Sequence, residues 1–134
     1  MTPPRSPRQL LADAKVVESQ PNAVPTATWG RAVAVLARQA MERALTEYWQ
    51  RTEPEMARSR NQRAAFLCLR NHLPPEAAAD AYYSWSALSR ACHFNGYDLE
   101  PAAEEVGAWI EGAERFLEAL ESASTIHQPV KENA

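Results

Sequence analysis

Residues 29–51, WGRAVAVLARQAMERALTEYWQR, form a long amphipathic stretch. Apolar side chains recur in it at intervals of three and four residues, the period of an α-helix that buries one face. They are Trp29, Val33, Leu36, Ala40, Met41, Ala44, Leu45, Tyr48 and Trp49. Because this apolar arc is wide, the stretch predicts a long helix, capped by Thr28, at the centre of a helical bundle.

A shorter helix is predicted before this stretch. Ser6 and Gln9 have the spacing of a capping box, and Pro7 suits the first helical position. The helix should end near Ser19, because Pro21 follows.

The next predicted helix lies after the central one. Pro54 breaks the connection over residues 52–58, and Ser59 can cap a helix that continues to about Leu73. Its inward side chains would be Gln62, Phe66, Leu69 and Leu73.

Two further helices complete the pattern. One begins at Pro75 and reaches Cys92, and the last begins near Asp98 or Glu100. The last helix has a clear apolar stripe and an acidic outer face. The stripe contains Ala102, Val106, Trp109, Ile110, Ala113, Phe116, Leu117 and Leu120.

These patterns and their short connections predict an all-α protein, an up-down antiparallel helical bundle of about five helices. Residues 6–122 are expected to form a single domain. The proline-rich residues 1–5 and the polar residues 123–134 are expected to be flexible.

The composition is that of an ordinary globular protein, with 46% hydrophobic and 23% charged residues and a net charge of −3. No apolar run resembles a signal peptide or a membrane span. The two cysteines, Cys68 and Cys92, fall in helical patterns and are interpreted as reduced thiols. A cytoplasmic location is therefore expected, without a membrane partner.

Arginines are concentrated between the second and fourth predicted helices. Arg58, Arg60, Arg63 and Arg70 lie there. They can form a solvated surface, or they can follow the backbone of a nucleic acid. The sequence alone leaves both interpretations open.

Metal and nucleophile chemistry find little support. Cys68 and His72 have a legitimate ligand spacing, but Cys92 and His93 are adjacent and diverge on a helix. The same divergence argues against a cysteine nucleophile with a histidine base. No glycine-rich phosphate loop occurs, so no metal or cofactor is predicted.

Arg90 and His93 are the candidate catalytic pair. Three residues apart, they share a helix face. Histidine can transfer a proton near neutral pH, and arginine can hold a phosphate. Such a pair suits metal-free RNA cleavage, in which the 2′-hydroxyl attacks the adjacent phosphorus. Alternatively, His93 caps the helix and Arg90 pairs with a carboxylate.

Two segments resemble the HEPN domain superfamily, most closely its actinobacterial members. Residues 89–120, SRACHFNGYDLEPAAEEVGAWIEGAERFLEAL, share the layout of an arginine and a histidine before a glycine, an aromatic residue and an acidic last helix. Residues 37–49, ARQAMERALTEYW, resemble the long second helix of that superfamily.

The resemblance implies a homodimer in which Arg90 and His93 of both protomers line one cleft, with Asn95 and Tyr97 supporting them. It also implies RNA as the ligand, metal-independent endoribonuclease activity in active members, and a toxin–antitoxin or defence role. The family motif has four to six residues between arginine and histidine, whereas here only Ala91 and Cys92 intervene.

This short spacing leaves a second hypothesis open, that of a catalytically inactive helical adaptor with a protein partner. A homodimer is also indicated by the surplus of aromatic residues near the fourth predicted helix, which one small bundle would not bury completely. These are Tyr82, Tyr83, Trp85, Phe94 and Tyr97.

Overall fold

The computed structural model describes residues 3–93 and 101–126, and this part of the chain contains helices and no strand. The α-helices are α1 (Pro7–Glu18), α2 (Thr26–Thr52), α3 (Pro54–Ala57), α4 (Gln62–Leu67), α5 (Pro75–Cys92) and α6 (Ala103–Ile126). A short 3₁₀ helix spans Cys68–Asn71. The predicted all-α class is thereby confirmed.

Helix α1 begins as its sequence predicts. The Ser6 hydroxyl accepts a hydrogen bond from the Gln9 backbone N–H at 3.1 Å, and the Gln9 side chain accepts one from the Ser6 N–H at 2.8 Å. This capping box satisfies two backbone donors at the helix start. Pro7 occupies the first turn.

The long helices alternate in direction. Arg8 on α1 contacts Glu121 on α6, and Lys15 contacts Glu114, so these two helices are antiparallel. The Trp85 indole on α5 donates to Glu42 on α2, and Tyr48 on α2 reaches His72, which precedes α5. Helices α2 and α5 are therefore antiparallel too.

Helices α2 and α6 run parallel at the centre. Gly30 lies beside Pro101 at one end of the pair, and Arg51 donates to Ser124 at the other. Helix α2 packs against α1, α5 and α6, which explains its wide apolar arc. Its buried side chains include Val33, Met41, Leu45, Tyr48 and Trp49.

Three local predictions were wrong. The predicted third helix is divided into α4 and the 3₁₀ helix, and it is capped by the Asn61 side chain, which accepts from the Ala64 N–H at 3.0 Å, rather than by Ser59. Helix α2 begins at Thr26, before the predicted cap Thr28. Proline after Glu53 starts the short α3, so six α-helices are described instead of about five.

No helix in the described ranges is both long enough and apolar enough to cross a membrane.

Candidate nucleic-acid interface

Arg90 and His93 lie at the carboxyl end of α5. Leu88 and Cys92 on the same helix are buried against the core, so the helical period directs Arg90 outward. His93 occupies the C-cap position, where its backbone N–H donates to the Arg90 carbonyl at 3.1 Å. Both side chains are exposed, and they share one end of the bundle.

The predicted supporting residues cannot be placed beside this pair. Asn95 and Tyr97 lie outside the described residues, as do Phe94 and Gly96.

Arg90 also lines a groove of about 600 Å³, bounded by the start of α2, one side of α5 from Asp80 to Ala91, and the first half of α6. Tyr83 stands at this groove with 69% of its surface exposed. Trp109, half-buried, supplies a second aromatic wall from α6. The small residues Ala87, Ala91 and Ala108 leave the groove open. His93 is not among the residues that line it.

Close helix contact shapes one edge of the groove. A Cβ atom on Gly30 would lie 2.5 Å from Cγ of Pro101, a distance that real side chains do not tolerate. Glycine at position 30 therefore lets α2 approach the start of α6. Alanine here would displace Pro101 and reshape the groove wall.

The groove carries more free positive than negative charge. Arg115 donates from Nε and Nη2 to the two oxygens of Asp80, at 2.9 and 3.0 Å, which neutralises that pair. This hydrogen bonding raises the pKa of Arg115. No ion pair joins Arg31 or Arg90 to another residue of the described chain. The remaining acidic lining residue is Glu105.

The four arginines predicted to bind RNA are all exposed, and one of them, Arg63, contacts a side chain of α5. The guanidinium of Arg63 lies over the Tyr82 ring, 6.0 Å from its centroid. Tyr82 precedes Arg90 by eight residues, or about 12 Å along a helix axis. Arg58 caps α3, Arg60 follows it, and Arg70 lies in the 3₁₀ helix.

The pair Arg38 and Glu42, which has the spacing of a solvated surface pair, is instead half-buried. Their Nε–Oε2 distance is 3.8 Å, and Glu42 also accepts from the Trp85 indole at 2.9 Å. Arg38 Nε and Ser89 Oγ are buried without a hydrogen-bond partner in the described chain. Burial raises the pKa of the nearby Cys92 thiol, and the charge of Arg38 partly opposes this.

The residues Cys68 and His72 have different surroundings from those of a zinc site. His72 Nδ1 lies 2.8 Å from the Tyr48 hydroxyl, and Nε2 lies 3.2 Å from Glu53 Oε2. Among the described residues, no group of three or more histidine, cysteine, aspartate and glutamate side chains could hold a metal ion.

No family model matches the chain. No curated protein and no solved structure shows significant similarity to it.

Most residues of the groove were not predicted from the sequence. Arg31, Trp109 and Arg115 come from two other helices, and only the fold brings them to Arg90. The position of Tyr83 beside Arg90 could have been predicted from the sequence. Tyr83 precedes Arg90 by seven residues, or two helical turns, and it lies on the side of the helix opposite the buried Leu88 and Cys92.

Proposed function

We propose that this chain is a HEPN-like, cytoplasmic RNA-binding protein whose RNA contacts the exposed side of α5, from Tyr83 to its carboxyl end. The observation that carries the proposal is the groove in which Arg90 and Arg31, with no ion-pair partner among the described residues, stand beside the exposed Tyr83. Arginine binds phosphate through its planar fork, and an aromatic ring stacks on a base.

The charge distribution supports the proposal despite the acidic total. Residues 58–93 contain five arginines and two acidic residues. The acidic face of α6 is partly neutralised by α1, since Glu114 pairs with Lys15 and Glu121 pairs with Arg8. A polyanion would therefore approach α4 and α5 rather than the outer face of α6.

We propose further that the site cleaves RNA without a metal ion. His93 would take the proton of a 2′-hydroxyl as its oxygen attacks the adjacent phosphorus and the bond to the 5′-oxygen breaks. A protonated histidine, from this protomer or its partner, would return a proton to that oxygen. Arg90 would hold the phosphate and stabilise its added negative charge. Asn95 and Tyr97 keep their proposed supporting role.

Two protomers would supply this chemistry together, as the HEPN resemblance implies. The aromatic surplus supports a dimer less than the sequence suggested, because Tyr82 and Trp85 pack within one chain and Trp85 stacks on Phe66. Tyr83 is left exposed. Light scattering at micromolar concentration should give twice the chain mass, and a monomer mass would refute the dimer.

The proposed function is tested with purified protein and labelled RNA in EDTA. Wild type should bind and cleave, His93→Ala should bind without cleaving, and Arg90→Ala should weaken binding. Arg43→Ala is the matched control, since Arg43 is also exposed and has no ion pair to a described residue. Binding without cleavage by wild type would refute the catalytic part alone. Absence of binding would refute the function.

A protein-binding adaptor is the second candidate. The observation that favours it is exposed apolar surface at Leu67, which is 42% exposed, and at Tyr83. A stoichiometric partner retained after ribonuclease treatment should be lost in Leu67→Ser or Tyr83→Ser. It should be kept in Val16→Ser, because Val16 is an exposed apolar residue on α1 whose exposure, 55%, lies between those of Leu67 and Tyr83. Loss in all three variants, or in none, would count against a specific surface.

A further inference from the structure

We infer that the groove between α2, α5 and α6 takes one unpaired nucleotide, with its base stacked on Tyr83 and its flanking phosphates on Arg31 and Arg90. This inference rests on the proposed function and names its substrate class: single-stranded RNA, or a loop or bulge, rather than a continuous duplex.

The exposed ring of Tyr83 favours a stacked ligand. A tyrosine with 69% of its surface exposed leaves most of its ring in water, whereas the adjacent Tyr82 packs on Trp85 and lies under Arg63. The cost of this exposure is recovered when a flat apolar partner covers the ring. Nucleobases are such partners, and stacking on aromatic side chains is their usual mode of recognition in single strands.

The shape of the groove also favours an unpaired base. The groove is concave, with a volume of about 600 Å³, and it has Trp109 on the α6 side and small alanines on the α5 side. A splayed base and its ribose can enter such a space. A base held in a paired stack cannot, because both of its faces are already covered.

The positive charges of the groove are arranged to bind two phosphates. Arg115 is held by Asp80 through two hydrogen bonds and is thereby neutralised. Arg31 on α2 and Arg90 on α5 have no such partner among the described residues, and they enter the groove from different helices. Two guanidinium groups on separate walls suit two successive phosphates of one strand.

The test measures fluorescence anisotropy with two probes, an unpaired RNA oligonucleotide and a blunt duplex of the same sequence. Wild type should prefer the unpaired probe. Tyr83→Ala should weaken its binding by about 5- to 150-fold, the usual range for loss of one base–aromatic stack. Tyr83→Trp should strengthen it, because the indole offers a larger face. Val16→Ala, an exposed apolar control on α1, should change neither probe.

The outcomes separate this inference from the function on which it rests. If wild type binds RNA and Arg90→Ala weakens it while Tyr83→Ala does not, the stacking site is refuted and RNA binding stands. Equal affinity for the duplex probe would also refute the unpaired nucleotide. If wild type binds neither probe, both proposals fail together. Circular dichroism on Tyr83→Ala checks that the fold is retained, as its exposure implies.

Discussion

The two ends of the bundle each present a histidine, and their surroundings differ. His72, 16% exposed, lies between the Tyr48 hydroxyl and the Glu53 carboxylate, with the Trp49 ring packed edge-on at 4.8 Å. His93 is exposed at the opposite end of α5 and acts as a C-cap through its backbone.

Two arginines that line the same groove differ in a similar way. Arg115 donates two hydrogen bonds to Asp80, whereas Arg90 has no ion pair to another residue of the described chain. Polar groups that bind each other hold elements together, whereas polar groups left at a concave surface are available to a ligand. The polar side chains before the start of α5 therefore stabilise the fold, whereas those at its carboxyl end belong to the proposed functional site.

The largest difference should come from a pair of aromatic substitutions, one in the core and one at the groove. Trp49 is 1% exposed, and its indole N–H has no hydrogen-bond partner in the described chain, so its role is packing. Trp49→Ala should lower the free energy of unfolding by about 3–5 kcal/mol. Tyr83→Ala should change it by less than about 0.5 kcal/mol. Urea unfolding of both variants checks this, and equal losses would remove the contrast.

Alanine substitutions of His72 and His93 should also differ in their effect on the free energy of unfolding, by a smaller amount. His72→Ala leaves the buried Tyr48 hydroxyl without its partner and should cost about 1–3 kcal/mol. His93→Ala should cost less than about 0.5 kcal/mol, because only an exposed side chain is removed. In a double-mutant cycle by urea unfolding, Tyr48→Phe with His72→Ala should cost less than the sum of the single changes. Additive losses would show that the contact is not coupled.

Alkaline pH should weaken the α2–α5 packing. Burial raises the pKa of the Cys92 thiol and of the Tyr48 hydroxyl, with Glu53 adding to the effect at Tyr48. Both groups are neutral when protonated, so their contribution is complete below the unfolded pKa values, about 8.5 and 10. It is lost as pH rises through the folded values. The free energy of unfolding should therefore fall above about pH 8.5, and it should fall less steeply in Cys92→Ala than in wild type. Equal slopes in the two proteins would show that the Cys92 thiol does not contribute to the pH dependence.

The Arg115–Asp80 pair should matter little for stability. Both side chains are more than a third exposed, so Asp80→Asn should cost less than about 1 kcal/mol. The substitution also frees Arg115 in the groove, and RNA affinity and its salt dependence should both increase. Titrations at two salt concentrations measure this. Unchanged affinity would mean that the ligand does not reach this wall.

The helices that were predicted correctly are those whose local signals agree with their packing. Ser6 and Gln9 cap α1 without help from distant residues, and the period of α5 follows from its own apolar positions. The cap of α4 was harder to predict, because Ser59 and Asn61 are both competent caps and only the path of the chain selects Asn61.

The candidate site, which comprises the groove and the nearby His93, could be predicted only in part. Arg90 and His93 are close in sequence, so their common end of α5 followed from helical geometry. Arg31 and Trp109 reach the groove from helices that are distant in sequence, and no local pattern records that contact. The half-buried state of Glu42 had the same origin, since it depends on Trp85, 43 positions away.

The parallel pairing of α2 and α6 has a consequence during synthesis. Helix α2 is complete at Thr52, but its central partner is complete only at Ile126. At ordinary translation rates the ribosome needs on the order of ten seconds to make the intervening residues. During that interval α1 and then α5 can cover part of the apolar face of α2. The part of that face that packs against α6 stays exposed. The nascent chain therefore exposes a hydrophobic helix surface that chaperones can bind until the last helix closes the bundle.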